Sequence, residues 1–223
     1  MIITLSHQKG GVGKSTLAWN LIVEFSKKRK VSVIDLDMQK TITYSLQIRK
    51  NKLGQGGVNN IALLDPKSDI EMVEMMLTNQ RSKEDLMIID SGGFDSSSNR
   101  IAITGSDILL TPVSTKFYEI LGLKEYSKIL DKINHEVRSK HKQELVANVI
   151  LNKINPNTID LEDMKNFVES DKNFALMKSI IRQRVDYENS PGVGSGVVEY
   201  NNKGRAAAEF KDFIKELNII IAS

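Results

Sequence analysis

Residues 9–16 read Lys-Gly-Gly-Val-Gly-Lys-Ser-Thr. They stand between a short apolar run, Ile2–Ser6, and a segment, Ser15–Lys28, where Leu17, Leu21 and Phe25 recur at helical spacing beside Ala18 and Ile22. A strand, a glycine loop and a helix in that order confine the chain to few folds. Glycines let the backbone wrap closely, its N–H groups converge on one point, and the helix start adds a positive end. Such a loop is built for the phosphates of a nucleotide. Gly10, Gly11, Val12 and Gly13 supply the cradle, Lys14 reaches the β- and γ-phosphates, Ser15 offers its hydroxyl to Mg²⁺, and Thr16 supports the α-phosphate. The frame Gly-x-x-x-x-Gly-Lys-Ser/Thr would put its first glycine at position 8, where Gln8 stands. The loop therefore departs from the frame while keeping its chemistry. A plain strand-to-helix turn would leave Lys-Ser-Thr at the junction unexplained.

The rest of the chain alternates strand and helix signals. Val31–Ile34, Leu86–Ile89, Ile108–Val113 and Leu145–Leu151 are short apolar runs of the kind buried in parallel sheets. Ser68–Leu77, Lys116–Lys140, the region Asp160–Val168 and Arg205–Leu217 read as helices, and Ala175–Ile181 is ambiguous. This order predicts an α/β fold, a mostly parallel twisted sheet with helices on both faces, in one domain over 1–223.

Two strands end in acids. Val33–Gln39 carries Asp35 and Asp37, two apart and so on one side of an extended segment. Leu86–Gly93 is an apolar strand ending in Asp90, placed to hold Mg²⁺. The carboxyl ends of parallel strands are where α/β sheets bind ligands. Capping of the next helix is the other reading of Asp35 and Asp37. Gly92 and Gly93 read equally as a γ-phosphate switch or a turn. Asn152 ends a further strand, and asparagine there is also an ordinary turn former.

Lys9–Thr16 closely resembles the deviant Walker A motif of the ParA/MinD family of P-loop ATPases. Asp35-Leu-Asp37-Met-Gln39 is similar to the family's Asp-x-Asp-Pro-Gln, with Met38 where proline is usual. The resemblance covers nearly the whole chain and implies ATP and Mg²⁺ as ligands. It implies that Lys9 crosses to the partner subunit's nucleotide in an ATP-bound sandwich homodimer. Asp37 orients the attacking water, Asp35 helps hold the metal shell, and Asn152 recognises the adenine edge. The small partition ATPases of the family bind DNA without sequence preference through C-terminal basic residues. Here Lys178, Arg182, Arg184, Lys203 and Arg205 fill that role against Asp186, Glu188 and Glu199. A centromere-binding ParB-like protein then stimulates hydrolysis. With the first strand at residue 2, the helix-turn-helix extension of larger plasmid relatives is not expected.

Composition narrows the alternatives. The 223 residues carry a net charge of +3 and no cysteine, which excludes disulfides, zinc-thiolate sites and the iron–sulfur cluster of a nitrogenase-reductase-like protein. No apolar run reaches membrane-span length, and the first residues lack a signal-peptide pattern, so a cytoplasmic protein is expected, and the resemblance implies association with the nucleoid. A MinD-like membrane ATPase needs an amphipathic anchor. The tail from Phe210 is amphipathic, but its charges are mixed and it reads as a docked helix. A relative serving conjugal transfer or other cargo would share every motif. The three histidines (His7, His135, His141) have no metal spacing, Trp19 reads as packing, and Met72, Met75 and Met76 read as a helix's core face.

Overall fold

The computed structural model describes residues 1–67, 69–81, 85–93, 95–139, 144–158 and 161–223. Ser68, Lys140, His141 and Asp160, which entered the sequence reading, lie outside the described residues. In chain order the elements are β1 (Ile2–Leu5), α1 (Lys14–Ser26), β2 (Val31–Asp35), α2 (Thr41–Leu53), β3 (Ile61–Leu64), α3 (Ile70–Arg81), β4 (Leu86–Asp90) and α4 (Ser97–Thr104). There follow β5 (Ile108–Val113), α5 (Phe117–Ser139), β6 (Ala147–Ile154), α6 (Glu162–Glu169), β7 (Phe174–Arg182), α7 (Val185–Asn189), α8 (Val197–Tyr200) and α9 (Arg205–Ala222). The strands form one parallel sheet ordered β3-β2-β4-β1-β5-β6-β7.

Alternation along the strands explains the layers. Ile3, Val31, Val33, Leu86, Ile88, Ile108 and Leu110 face one core with Leu17, Leu21 and Trp19 of α1 and Phe210, Phe213 and Leu217 of α9. Their neighbours Ile2, Ile34, Met87 and Ile89 face α3 and α4, while Leu109 and Val113 face α5 and α6. A sheet covered on both faces needs apolar residues at every central position, which is why these strands read as continuous runs.

β1 lies centrally. The chain moves from it to β2 on one side and, after β4, crosses to β5 on the other, which opens a ligand crevice at the strands' carboxyl ends. Register places Leu5, Asp35 and Asp90 level there.

The ambiguous segment 175–181 is the strand β7, with bulges against β6 that interrupt its alternation. Trp19 is buried and donates Nε1–H to the Ser195 carbonyl at 2.9 Å. Of the methionines, Met76 packs under α3 and Met75 is exposed. No helix among the described residues is long and apolar enough to cross a membrane.

Candidate nucleotide and active site

The glycine loop joins β1 to α1. Gly13 adopts φ 99° and its carbonyl accepts the first helical hydrogen bond, from Leu17 N at 2.9 Å. A side chain at this φ is strained, and a Cβ at 13 would also strike the Asn152 amide. β6 braces the loop from outside. Asn152 Nδ2 donates to the Val12 carbonyl (2.8 Å), and Lys153, in the left-handed region at φ 55°, donates Nζ–H to the Gly11 carbonyl (2.7 Å). The segment after Asp90 presses on the other side. A Cβ on Gly93 would fall 2.8 Å from Gly10 N, so a glycine is required for that approach.

Asp90 is fully buried, with the Ser15 hydroxyl beside it and no well-formed hydrogen bond to either carboxylate oxygen. Burial pushes its carboxyl up to about 7, and Asp35 and Asp37 push the same way. The Ser15 hydroxyl and the Lys14 ammonium oppose them. Unfilled lone pairs on a buried carboxylate are costly, and a divalent cation beside the Ser15 hydroxyl would fill them. Among the described residues no cluster of three or more His, Cys, Asp or Glu could hold a metal. A Mg²⁺ held by one carboxylate, one hydroxyl and substrate phosphates is the arrangement this donor set fits. Lys14 is buried with Nζ donating to the Lys9 carbonyl at 3.0 Å. Burial lowers its pKa, and Asp90 and Asp37 work against that shift.

The two acids of β2 part company. Asp35 accepts from Thr43 N and Thr43 Oγ1, both at 3.0 Å, through Oδ2, and from Asp37 N at 3.3 Å through Oδ1. Its backbone carbonyl accepts from Lys40 Nζ at 2.7 Å. Both side-chain oxygens are engaged in anchoring α2 and the Asp37 turn. These bonds fit the reading of Asp35 as an acid that caps the following helix. Asp37 is half-buried, and only its Oδ1 is bonded, to Gln39 N at 2.9 Å, an Asx turn that aims the carboxylate into the crevice shared with Lys14 and Asp90.

Beside the loop lies a cavity of about 290 Å³ lined by Thr16, Asn152, Lys153, Gln183, Tyr187 and Pro191, among others. Since the Asn152 amide N–H binds Val12, its oxygen is the end left to accept from a base amino group. Arg182 and Arg184 also line this cavity. Arg184 pairs with Glu209 at 2.7 Å, and Arg182 Nη1 donates to the carbonyls of Asn155, Pro156 and Thr158. Both guanidinium groups are engaged within the chain and only partly exposed. Lys178, Lys203 and Arg205 are exposed. α9 runs antiparallel to β7, with Glu216 at Lys178 N and Glu209 at Arg182 N. Lys203 and Arg205 therefore stand at the carboxyl edge and Lys178 lies lower.

Lys9 is exposed with Nζ 5.7 Å from the Tyr118 ring centroid. His7 is buried, and burial followed by the Lys14 charge holds its pKa at about 3, so it is uncharged and fits the structural role expected of it.

Several residues that shape the site gave little signal in sequence. Thr43 belongs to α2 and Lys40 precedes its first residue, and this helix gave no clear signal in sequence. Its buried positions are Ile42, Ser45, Leu46 and Arg49, a helical repeat half hidden by polar residues. Arg49 binds Glu199 (2.7 Å) and the carbonyls of Gly57 and Gly194, tying α2 to the segment that follows the cavity. Lys153 has a left-handed backbone that no local motif announces.

Known proteins are similar to this chain in sequence and fold. The sporulation initiation inhibitor protein Soj of Bacillus subtilis is 25% identical, with 97% of each chain covered. A plasmid partition protein of Borrelia burgdorferi solved bound to AMPPNP superimposes with a TM-score of 0.66 at 22% identity, covering 96% of this chain and 98% of that one. The cell division protein MinD of Aquifex aeolicus does so with a TM-score of 0.71 at 20% identity, covering 97% and 95%. Residues 3–198 match the CobQ/CobB/MinD/ParA nucleotide binding domain. With the glycine loop, the strand-end acids and the parallel sheet in place, the chain belongs to this family of P-loop nucleotide-binding proteins.

Proposed function

We propose that the protein is a Mg²⁺-dependent ATPase of DNA partition. In this reading it pairs with a second copy when ATP is bound, and the pair binds DNA without sequence preference in the cytoplasm, on the nucleoid. A ParB-like partner speeds hydrolysis and so releases the pair. The observation that carries the enzymatic part is Asp90, a buried carboxylate without a well-formed hydrogen bond, beside Ser15 and Lys14. Ser15 and Asp90 would hold Mg²⁺, which neutralises charge on the β- and γ-phosphates. Lys14 moves its ammonium from the Lys9 carbonyl to the phosphates. The backbone N–H groups of residues 10–13 and the start of α1 orient them, and Thr16 stands by the α-phosphate. The Asn152 amide oxygen accepts from the adenine amino group. Asp37 orients the attacking water, while Asp35 keeps the Asp37 turn in place. Lys9 acts on the nucleotide of the second subunit. Lys203 and Arg205, doubled by pairing, offer cations to DNA phosphates.

Partition is favoured over a MinD-like membrane role by α9. A helix that lies on a bilayer needs its apolar face free. Here Ala206, Ala207, Phe210, Phe213 and Leu217 are buried in the main core.

The test is Lys14→Ala. Removing a buried ammonium leaves the fold intact, and ATP affinity is expected to fall about 100-fold through loss of charge-assisted contacts. ATP-dependent pairing and hydrolysis are expected to vanish with it. Equilibrium binding of a fluorescent ATP analogue measures this, and wild-type affinity in the variant would overturn the assignment.

A further inference from the structure

We propose that one face of α5 is a seat that positions Lys9, with Gly122 and Tyr118 as its positioning residues. This rests on the reading of Lys9 as the residue that acts on the second subunit's nucleotide.

Tyr118, Gly122 and Tyr126 recur at every fourth position of α5 and so share a face. Lys9 and His7 lie against that face. At Tyr126, the His7 ring stacks with centroids 6.4 Å apart. At Gly122, a Cβ would come within 2.7 Å of Lys9 Cγ and 2.9 Å of His7 Cε1, so this turn of the helix is open to the Lys9 stem because it carries no side chain. At Tyr118, the Lys9 ammonium stands 5.7 Å from the ring centroid, within cation–π range. The backbone closes the unit, since Lys9 N donates to His7 Nδ1 at 2.9 Å and the Lys9 carbonyl accepts from Lys14 Nζ.

Glycine is unfavourable inside a helix, and Tyr118 is 69% exposed, so packing within its own subunit accounts for little of it. The Lys9 stem, with the His7 ring, accounts for Gly122, and the Lys9 ammonium meets the Tyr118 ring beside the edge contact with Phe117. A free lysine side chain samples many rotamers, and ordering one at the moment of pairing costs conformational entropy. The seat selects a rotamer beforehand. It places the ammonium by the exposed Tyr118 ring near the start of α5, where a second subunit closing over the phosphate loop would meet it.

The test compares Gly122→Ala, Tyr118→Leu and Tyr118→Phe with wild type for ATP-dependent self-association by analytical ultracentrifugation, with ATP affinity measured on dilute single subunits. Gly122→Ala is expected to weaken pairing about tenfold by displacing Lys9. Tyr118→Leu should weaken it about threefold, and Tyr118→Phe, which keeps the ring face, should match wild type. Single-subunit ATP affinity stays unchanged in all three. In a Lys9→Ala background, at protein concentrations raised to restore pairing, the same substitutions should have no further effect. Losses of equal size in that background, or wild-type pairing by both Gly122→Ala and Tyr118→Leu, would overturn the seat. If wild type itself shows no ATP-dependent pairing, the reading of Lys9 has failed, and NMR of the nucleotide-free protein then tests the seat separately. The Lys9 ε-methylene protons should be shifted upfield by the Tyr118 ring and return on Tyr118→Leu. Absence of that shift would remove the seat.

Discussion

Asp37→Ala is expected to bind ATP, pair and bind DNA as wild type does, while its hydrolysis rate falls by about 100-fold or more, the range for loss of a positioned base or water-orienting group. The structure separates two ways this could arise. Asp37 Oδ1 accepts from Gln39 N, so alanine removes the Asx turn together with the charge. Asp37→Asn keeps an oxygen acceptor for that turn and loses only the carboxylate. If the charge orients water, both variants lose hydrolysis to a similar extent. An active Asn variant beside an inactive Ala variant would assign Asp37 to shaping the turn, and normal hydrolysis in both would remove it from the reaction. A phosphate-release assay on equal concentrations of paired protein separates these results.

The second large effect runs opposite in stability and function. The Asp90 carboxyl is held up to about 7 by burial, against an ordinary value of 3.8. In metal-free, nucleotide-free protein the folded state thus keeps a proton through a range where the unfolded chain has released it. Stability from this group is full below about pH 4, declines as pH rises towards 7, and is flat above. The gap corresponds to a loss on the order of 4 kcal/mol. Asp90→Asn is isosteric and uncharged. In chelator it is expected to be more stable than wild type at pH 8 by up to that amount and to differ little at pH 4. It should lose Mg²⁺-dependent hydrolysis, because Ser15 is left without its carboxylate. Urea unfolding at several pH values reads the difference, and a variant less stable than wild type at pH 8 would show that Asp90 is paired in solution. The site accepts an electrostatic cost that substrate and cation relieve, as buried charges at active sites do.

How far the fold was legible depended on how each element buries its residues. β1, β2, β4, β5 and β6 announced themselves as short, mostly apolar runs because the sheet is covered on both faces. α1 and α5 did so through regular apolar spacing. β3 is a four-residue edge strand with its two central residues exposed, so it lacks both signals. α2 buries Arg49 and Ser45 where an apolar residue is the usual sign. Within the site, Lys14, Ser15, Asp37, Asp90 and Asn152 stood out in sequence because each lies at an element end, and the structure gathers them around the glycine loop. The division of labour between Asp35 and Asp37 was not, because it depends on Thr43 reaching back across a helix that sequence had not revealed. Arg182 and Arg184 looked like surface cations because their partners, Glu209 and three loop carbonyls, are more than twenty residues away in the chain.

The central claim is that ATP controls DNA binding. The direct measurement is the affinity of the purified protein for random-sequence duplex DNA with ATP, with ADP and without nucleotide, at two salt concentrations. Binding is expected with ATP only, indifferent to sequence and weaker at higher salt, with a log–log salt slope that reflects the number of phosphates contacted. Arg205→Glu should reduce both affinity and slope. Equal binding in all three nucleotide states, or none in any, would contradict that claim.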